Sequence, residues 1–271
     1  MKKIILALDG NHLSEGAFKF VTQLNKYEPV LLTGVFLPVV DYAELLYSLG
    51  GLGGPLYFQD AELEDTRNIQ KNIDRFKDLC LEYGLEYRVH PDLDRHVISE
   101  IKQESRYADL LVIASELFYE NLGDDSHEQY VENALHKSEC PVVLIPEHYH
   151  APDNITLAYD GSESSVYAIK QFAYLFPEFK HLKTLLVYAG TKDIPGIAEI
   201  EELAARHFVN LTVCKLEIDP KKYFNTWLED NGNTMLVSGA YSRSALSEVL
   251  SSSFISKTIR DHKVPIFVAH K

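Results

Sequence analysis

The stretch ITLAYDGSESSVYAIKQ, residues 155–171, has a counterpart near the start of the chain, IILALDGNHLSEGAFKF, residues 4–20. At an offset of 151 residues, the two stretches are identical at eight of 17 positions. Each begins as an apolar run that ends in Asp-Gly and continues as a mixed polar and apolar segment. Self-similarity of this kind indicates that the chain contains two copies of one structural unit.

The far ends of the two copies also match, at an offset of 124 residues. The matching pieces are LLVIAS at 110–115 with CPVVLIP at 140–146, and TMLVSG at 234–239 with VPIFVAH at 264–270. We therefore predict two domains, residues 1–150 and residues 151–271.

The offsets of 151 and 124 differ by 27 residues, which predicts an insertion in the first copy at about residues 40–66. Glycines 50, 51, 53 and 54 together with Pro55 are expected to interrupt regular structure there. The insertion is either a surface loop or flap over its own domain, or a lid or partner surface made by its Leu, Tyr and Phe side chains.

Within each copy, short apolar runs alternate with longer amphipathic segments, which predicts an α/β fold with parallel strands and helices on both faces of the sheet. A helix is expected at residues 62–82, where Ile69, Ile73 and Phe76 recur at helical spacing. Five strands are expected per copy, at 3–8, 29–36, 86–90, 109–114 and 141–145, and at 154–159, 182–188, 210–216, 234–238 and 264–268.

The charge of the chain is unevenly distributed. The 271 residues carry a formal net charge of −14, which argues against binding to nucleic acid or to an anionic membrane surface. Residues 1–150 contain 26 acidic and 13 basic side chains, whereas residues 151–271 contain 14 acidic and 13 basic ones. Nearly all of the excess negative charge therefore belongs to the first copy.

The three cysteines have neither disulfide-like nor metal-like spacing, which favours a reducing compartment. The apolar run in MKKIILALDG ends at Asp9 and is too short for a signal-peptide core or a membrane span. We expect a soluble, cytoplasmic protein.

Ligands of open α/β sheets bind beyond the carboxyl ends of the strands, where the strand order reverses. If the first and fourth strands of each copy are neighbours, their following loops meet there. After the first strand stand Asp9-Gly10 and Asp160-Gly161. Such a carboxylate either accepts hydrogen bonds from a ligand or caps the following helix, and the sequence leaves both interpretations open.

After the fourth strand of the second copy comes GAYSRSALSEVLSSSFISKTI, residues 239–259. Gly239 permits a tight turn, the serine hydroxyls are hydrogen-bond donors, and Arg243 is a nearby cation. This composition suits a phosphate site before a helix, although it equally suits a solvated, serine-rich loop.

The Asp-Gly after strand one, this glycine- and serine-containing segment and a final apolar strand preceded by proline together resemble the universal stress protein family, as a tandem two-domain member. The resemblance covers nearly the whole chain except the insertion. It implies Rossmann-like domains related to the adenine nucleotide α-hydrolases, a non-enzymatic role, and binding of ATP or another adenine nucleotide in the second domain. It places the phosphates and ribose at Gly239, Ser242, Ser252 and Ser253 with Arg243 nearby, and the adenine near Asp160, Gly161 and Val187.

The two copies depart from the family motif to different extents. In the second copy, Ser242 and Ser252 replace two of three motif glycines, and residues 239–260 contain three basic side chains and one acidic one. In the first copy, the matching residues 115–132 contain six acidic and no basic side chains. We therefore predict that the first copy does not bind ATP through this loop.

Two other functions stay open on the sequence, namely a nucleotide-free interaction scaffold and a slow ATPase. We predict no metal site, since His148 and His150 are more simply exposed residues of a linker. The apolar strands CPVVLIP and VPIFVAH are expected to pair within one chain, because each otherwise leaves an exposed edge. Further self-association into a homodimer stays open.

Overall fold

A computed structural model describes residues 1–9, 12–37, 55–90, 102–114, 138–218, 220–239 and 264–269. The chain divides into two compact units, Met1–Glu139 and Cys140–Lys271. In the part of the chain that is described, no helix is both long enough and apolar enough to cross a membrane.

The described residues of the first unit form a parallel sheet with two long helices, and residues 102–105 are also helical. The elements are β1 (Lys2–Asp9), α1 (Glu15–Tyr27), β2 (Val30–Leu37), α2 (Pro55–Glu82), β3 (Glu86–Val89) and β4 (Leu110–Ala114). In the sheet, the strands are ordered β3-β2-β1-β4.

Helix α2 begins at Pro55, a residue expected from the sequence to interrupt regular structure. Proline is favourable in the first turn of a helix, where its missing N–H leaves no hydrogen bond unmade. The helix has 28 residues, whereas its counterpart in the second unit has nine, so 19 residues of the extra length of the first copy are helical. Its Phe76 is fully buried and packs over Gly34 of β2.

The described residues of the second unit form six strands, β5 (Val142–Ile145), β6 (Asn154–Ala158), β7 (Lys183–Ala189), β8 (Asn210–Leu216), β9 (Thr234–Gly239) and β10 (Ile266–Ala269). In the sheet, these strands are ordered β5-β10-β9-β6-β7-β8. Its helices are α3 (Glu163–Leu175), α4 (Ile197–Ala205) and α5 (Pro220–Asp230), with a short 3-10 helix at Pro177–His181.

The five strands of the second copy are parallel, which confirms the predicted α/β class. Strand β5 lies antiparallel to β10, with Val143 opposite Phe267. In the sequence repeat, β5 is the last strand of the first copy. In the structure its buried residues belong to the second compact unit, because the two units divide between Glu139 and Cys140. The boundary near residue 150 describes the sequence repeat and stays a prediction.

Cys80, in helix α2, is expected to be chemically inert in the folded protein. Its side chain has no exposed surface, and burial raises the pKa of its thiol to about 12. At pH 8 only about one in ten thousand such thiols is the reactive thiolate. Iodoacetamide treatment followed by peptide mass spectrometry should therefore label the half-buried Cys214 and leave Cys80 unmodified. In urea all three cysteines should react; equal native labelling of Cys80 and Cys214 would contradict the expectation.

Candidate functional site

The carboxyl end of β6 is the point at which the strand order of the second unit reverses. The chain passes from β6 to β7 on one side, and β9 later returns to pair with β6 on the other. In parallel sheets of this kind, the loops that follow the flanking strands meet at such a point. We therefore expect the site at the carboxyl ends of β6, β7 and β9.

The turn after β6 is held by the Asp160 carboxylate. The backbone N–H of Ser162 donates to Asp160 Oδ1 at 2.8 Å, and Gly161 between them has a φ of 84°. Ser162 is the N-cap of α3, since its hydroxyl oxygen accepts from the N–H of Ser165 at 3.2 Å. Asp160, whose side chain is exposed, thus holds the turn that precedes the helix. The residue that caps α3 is Ser162 and not Asp160.

Gly239, the last residue of β9, lies directly against the amino end of α3. A Cβ at this position would overlap the backbone of Ser164 and Ser165, which has no freedom to move aside as a side chain would. The missing side chain is what allows helix and strand to approach so closely. The fold therefore brings together three of the predicted site residues, Asp160, Gly161 and Gly239.

The segment that follows β7 lies over the Asp160-Gly161 turn. The ring of Pro195 stands so close to Gly161 that a Cβ there would be 2.8 Å from two of its carbons. The hydroxyl of Tyr159 donates to the carbonyl oxygen of Pro195 at 2.6 Å. Neither Tyr159 nor Pro195 was among the predicted site residues. A signal was present, because Tyr159 stands where the first copy has Leu8.

Val187 lies within β7 rather than at its end. Its side chain is buried, its carbonyl oxygen accepts from the N–H of Tyr159 at 2.9 Å, and the strand continues to Ala189. Its role as a neighbour of adenine stays a prediction. The remaining predicted site residues, Ser242, Arg243, Ser252 and Ser253, lie outside the described part of the chain, as does the acidic segment 115–132.

The first unit differs from the second at the corresponding place. Ile4 is paired with Leu110, whereas its repeat equivalent Ile155 is paired with Met235. Counting along the strands from these two pairs, the residue of the first unit that corresponds to Gly239 is Ala114. The sequence offset of 124 predicts the residue after Ala114 instead. A side chain therefore occupies the position that in the second unit must be empty.

The helix after β1 also starts later than its counterpart in the second unit. It begins six residues after Asp9, whereas α3 begins three residues after Asp160. Its N-cap is Ser14, whose hydroxyl oxygen accepts from the N–H of Ala17. Counted from the Asp-Gly pair, the helix of the first unit thus begins three residues later along the chain than the helix of the second unit.

The histidines at the junction of the two copies are on the surface. His148 and His150 are exposed and flank Tyr149, which is buried. Among the residues that the structure describes, no three or more His, Cys, Asp and Glu side chains are grouped to hold a metal ion.

No protein-family model and no curated protein sequence matches the chain. Among solved structures, it is similar to a universal stress protein from Archaeoglobus fulgidus DSM 4304, with a TM-score of 0.71 and 16% identity over 100% of this chain and 96% of that one. The cytoplasmic domain of a prokaryotic cation chloride cotransporter is less similar, with a TM-score of 0.51 and 12% identity over 99% of this chain and 95% of that one. The chain therefore has the universal stress protein fold, in two consecutive copies.

Proposed function

We propose that the chain is a tandem universal stress-type protein of the cytoplasm, without enzymatic activity, whose second unit binds ATP or another adenine nucleotide. One observation carries this proposal. Asp160, Gly161 and Gly239, which the family motif singles out, meet at the carboxyl ends of β6 and β9 around the first turn of α3.

Electrostatics favours the second unit over the first as the place for phosphates. The amino end of a helix carries partial positive charge, and α3 begins beside Gly239, where the serine-rich segment starts. The sequence from 239 to 260 adds Arg243, Lys257 and Arg260 against one acidic side chain. The matching loop of the first copy has six acidic and no basic side chains, so a triphosphate there meets repulsion.

A nucleotide-free interaction scaffold is the second candidate, and a specific contact favours it. Pro195 covers the surface of Gly161 that a bound base is expected to contact. The likeness to a domain of a cotransporter is in keeping with this candidate, because that chain is one part of a larger transport protein.

Replacing Asp160 with asparagine is expected to weaken ATP binding roughly tenfold or more. Asparagine keeps an oxygen for the Ser162 N–H, so the turn survives, but it loses the negative charge and replaces one acceptor with a donor. Isothermal titration of the purified full chain with ATP measures the effect directly. The wild-type chain should bind one nucleotide.

The matched control is Asp153→Asn. Asp153 is exposed and lies near the opposite end of β6, so its replacement should leave ATP binding unchanged. Asp9→Asn in the first unit should also have no effect. A larger loss from Asp9→Asn would move the site to the first unit. Silence of the wild-type chain at high micromolar ATP, with no nucleotide released on denaturation, would favour the scaffold. Phosphate release that Asp160→Asn abolishes would favour a slow ATPase.

A further inference from the structure

Residues Gly190–Gly196, which we call the strap, are fixed at both ends. At one end the N–H of Gly190 donates to the carbonyl oxygen of Leu216 at 2.9 Å. At the other, Gly196 has a φ of 55° and is the N-cap of helix α4, and its carbonyl oxygen accepts from the N–H of Ile200 at 3.0 Å. Fixed ends with an irregular middle allow the segment to move as a unit.

The middle of the strap is largely exposed to solvent. Thr191, Lys192 and Asp193 are exposed, and Lys215 Nζ reaches the carbonyl oxygen of Thr191 at 3.3 Å. Segments with little buried apolar surface and exposed backbone open at low free-energy cost. The position of the strap over the turn therefore depends largely on what holds Pro195.

Pro195 contacts the turn after β6 in two ways. Its ring lies on Gly161, whose φ of 84° and lack of a side chain make room for it. Its carbonyl oxygen accepts the Tyr159 hydroxyl at 2.6 Å, a length typical of a strong O–H···O bond. Tyr159 as a whole is buried, and its bond to Pro195 is partly shielded from water.

The Tyr159 hydroxyl stays a donor across the physiological pH range. Burial, together with the negative charges of Asp160 and Glu199, raises the pKa of the phenol above its ordinary value. The protonated form, which alone can donate, is therefore the form present near neutral pH. The bond to Pro195 is constitutive rather than sensitive to pH.

We propose that the strap is a lid over the Asp160-Gly161 turn, that Tyr159 is its latch, and that an adenine nucleotide enters the second unit only when the strap lifts. This inference rests on the proposed function. Because Pro195 occupies the space above Gly161, a base reaches that face only after the proline has moved. The apparent affinity for nucleotide is then lowered by the fraction of molecules in which the strap is closed.

Tyr159→Phe removes the latch and keeps the ring. Hydrogen–deuterium exchange of peptides covering residues 189–200, measured without nucleotide, should become roughly fivefold faster, in line with the loss of one hydrogen bond. A fluorescent ATP analogue titrated into the same protein should bind more tightly, by up to the same factor. Pro195→Ala, which removes the ring from Gly161, should change both readouts in the same direction.

Tyr174→Phe is the matched control, since Tyr174 is 57% exposed on α3, and it should change neither readout. If hydrogen–deuterium exchange in both Tyr159→Phe and Pro195→Ala is as slow as in the wild type, these residues do not hold the strap and the proposal is wrong. Faster exchange with an unchanged, measurable nucleotide affinity would overturn its role in access. Faster exchange with no nucleotide bound by any of the proteins would uphold the latch and overturn the nucleotide assignment instead.

Discussion

Gly239→Ala is expected to lower the free energy of unfolding of the second unit by about 3 kcal/mol, the upper end of the usual cost of overpacking. The added Cβ would overlap the backbone of Ser164 and Ser165, so either α3 or β9 must shift. Urea unfolding followed by tryptophan fluorescence measures this unit specifically, because the chain has one tryptophan and Trp227 lies in α5.

Gly232→Ala provides the control for the Gly239 experiment. Gly232 has a φ of 76°, and a Cβ there would meet nothing within 4 Å, so only backbone strain opposes alanine. That strain costs about 1 to 2 kcal/mol. If Gly239→Ala proves no more damaging than Gly232→Ala, the close packing of α3 on β9 does not constrain residue 239.

The requirement at Gly239 also changes how its place in the family motif is interpreted. A motif glycine is commonly explained by the approach of a ligand, but packing against the amino end of α3 already excludes a side chain here. Gly239 therefore argues for the geometry of the site and not, by itself, for a nucleotide. What Gly239 contributes to the proposal is its position beside Asp160 and Gly161, and the binding experiments test the ligand itself.

The sequence predicted the central strands well because they are buried in a parallel sheet, where strands are nearly continuous apolar runs, and it also predicted β8, which lies at the sheet edge and is exposed or half-buried. Strand β8 has the expected bounds, 210–216, and β4 and β9 each differ from expectation by one residue. The Asp-Gly turn was recognised for a similar reason, since a polar pair that ends an apolar run marks the edge of the sheet. These features depend on local sequence alone.

Three features of the structure were not predicted from the sequence. Pro55 was interpreted as a breaker although it starts a helix, because a proline shows where a helix cannot continue and not whether one begins. The equivalence of Ala114 with Gly239 follows from strand register, which an ungapped alignment does not contain. The bond from Tyr159 to Pro195 joins residues 36 apart, and no local pattern predicts it.

Phe172→Ala is expected to cost about 4 kcal/mol of stability, the largest effect among the changes considered. Phe172 is fully buried on α3, and its ring centroid lies 5.2 Å from that of Phe176 and 5.3 Å from that of Phe267 on β10. Phe179 and Phe208 stack on it at 6.2 and 6.3 Å. Alanine would leave a cavity among four aromatic rings that cannot all collapse into it.

Two replacements of Phe172, by alanine and by leucine, distinguish the contribution of side-chain volume from that of the aromatic ring. Phe172→Leu keeps most of the volume and should cost about 1.5 kcal/mol, whereas Tyr174→Ala, two residues away but exposed, should cost about 0.5 kcal/mol or less. Urea unfolding monitored by Trp227 fluorescence measures all three. A cost for Phe172→Ala near that of Tyr174→Ala would mean that the cluster does not stabilise α3. Because the amino end of this helix forms the candidate site, the cluster that anchors α3 also holds Asp160 and Gly239 together.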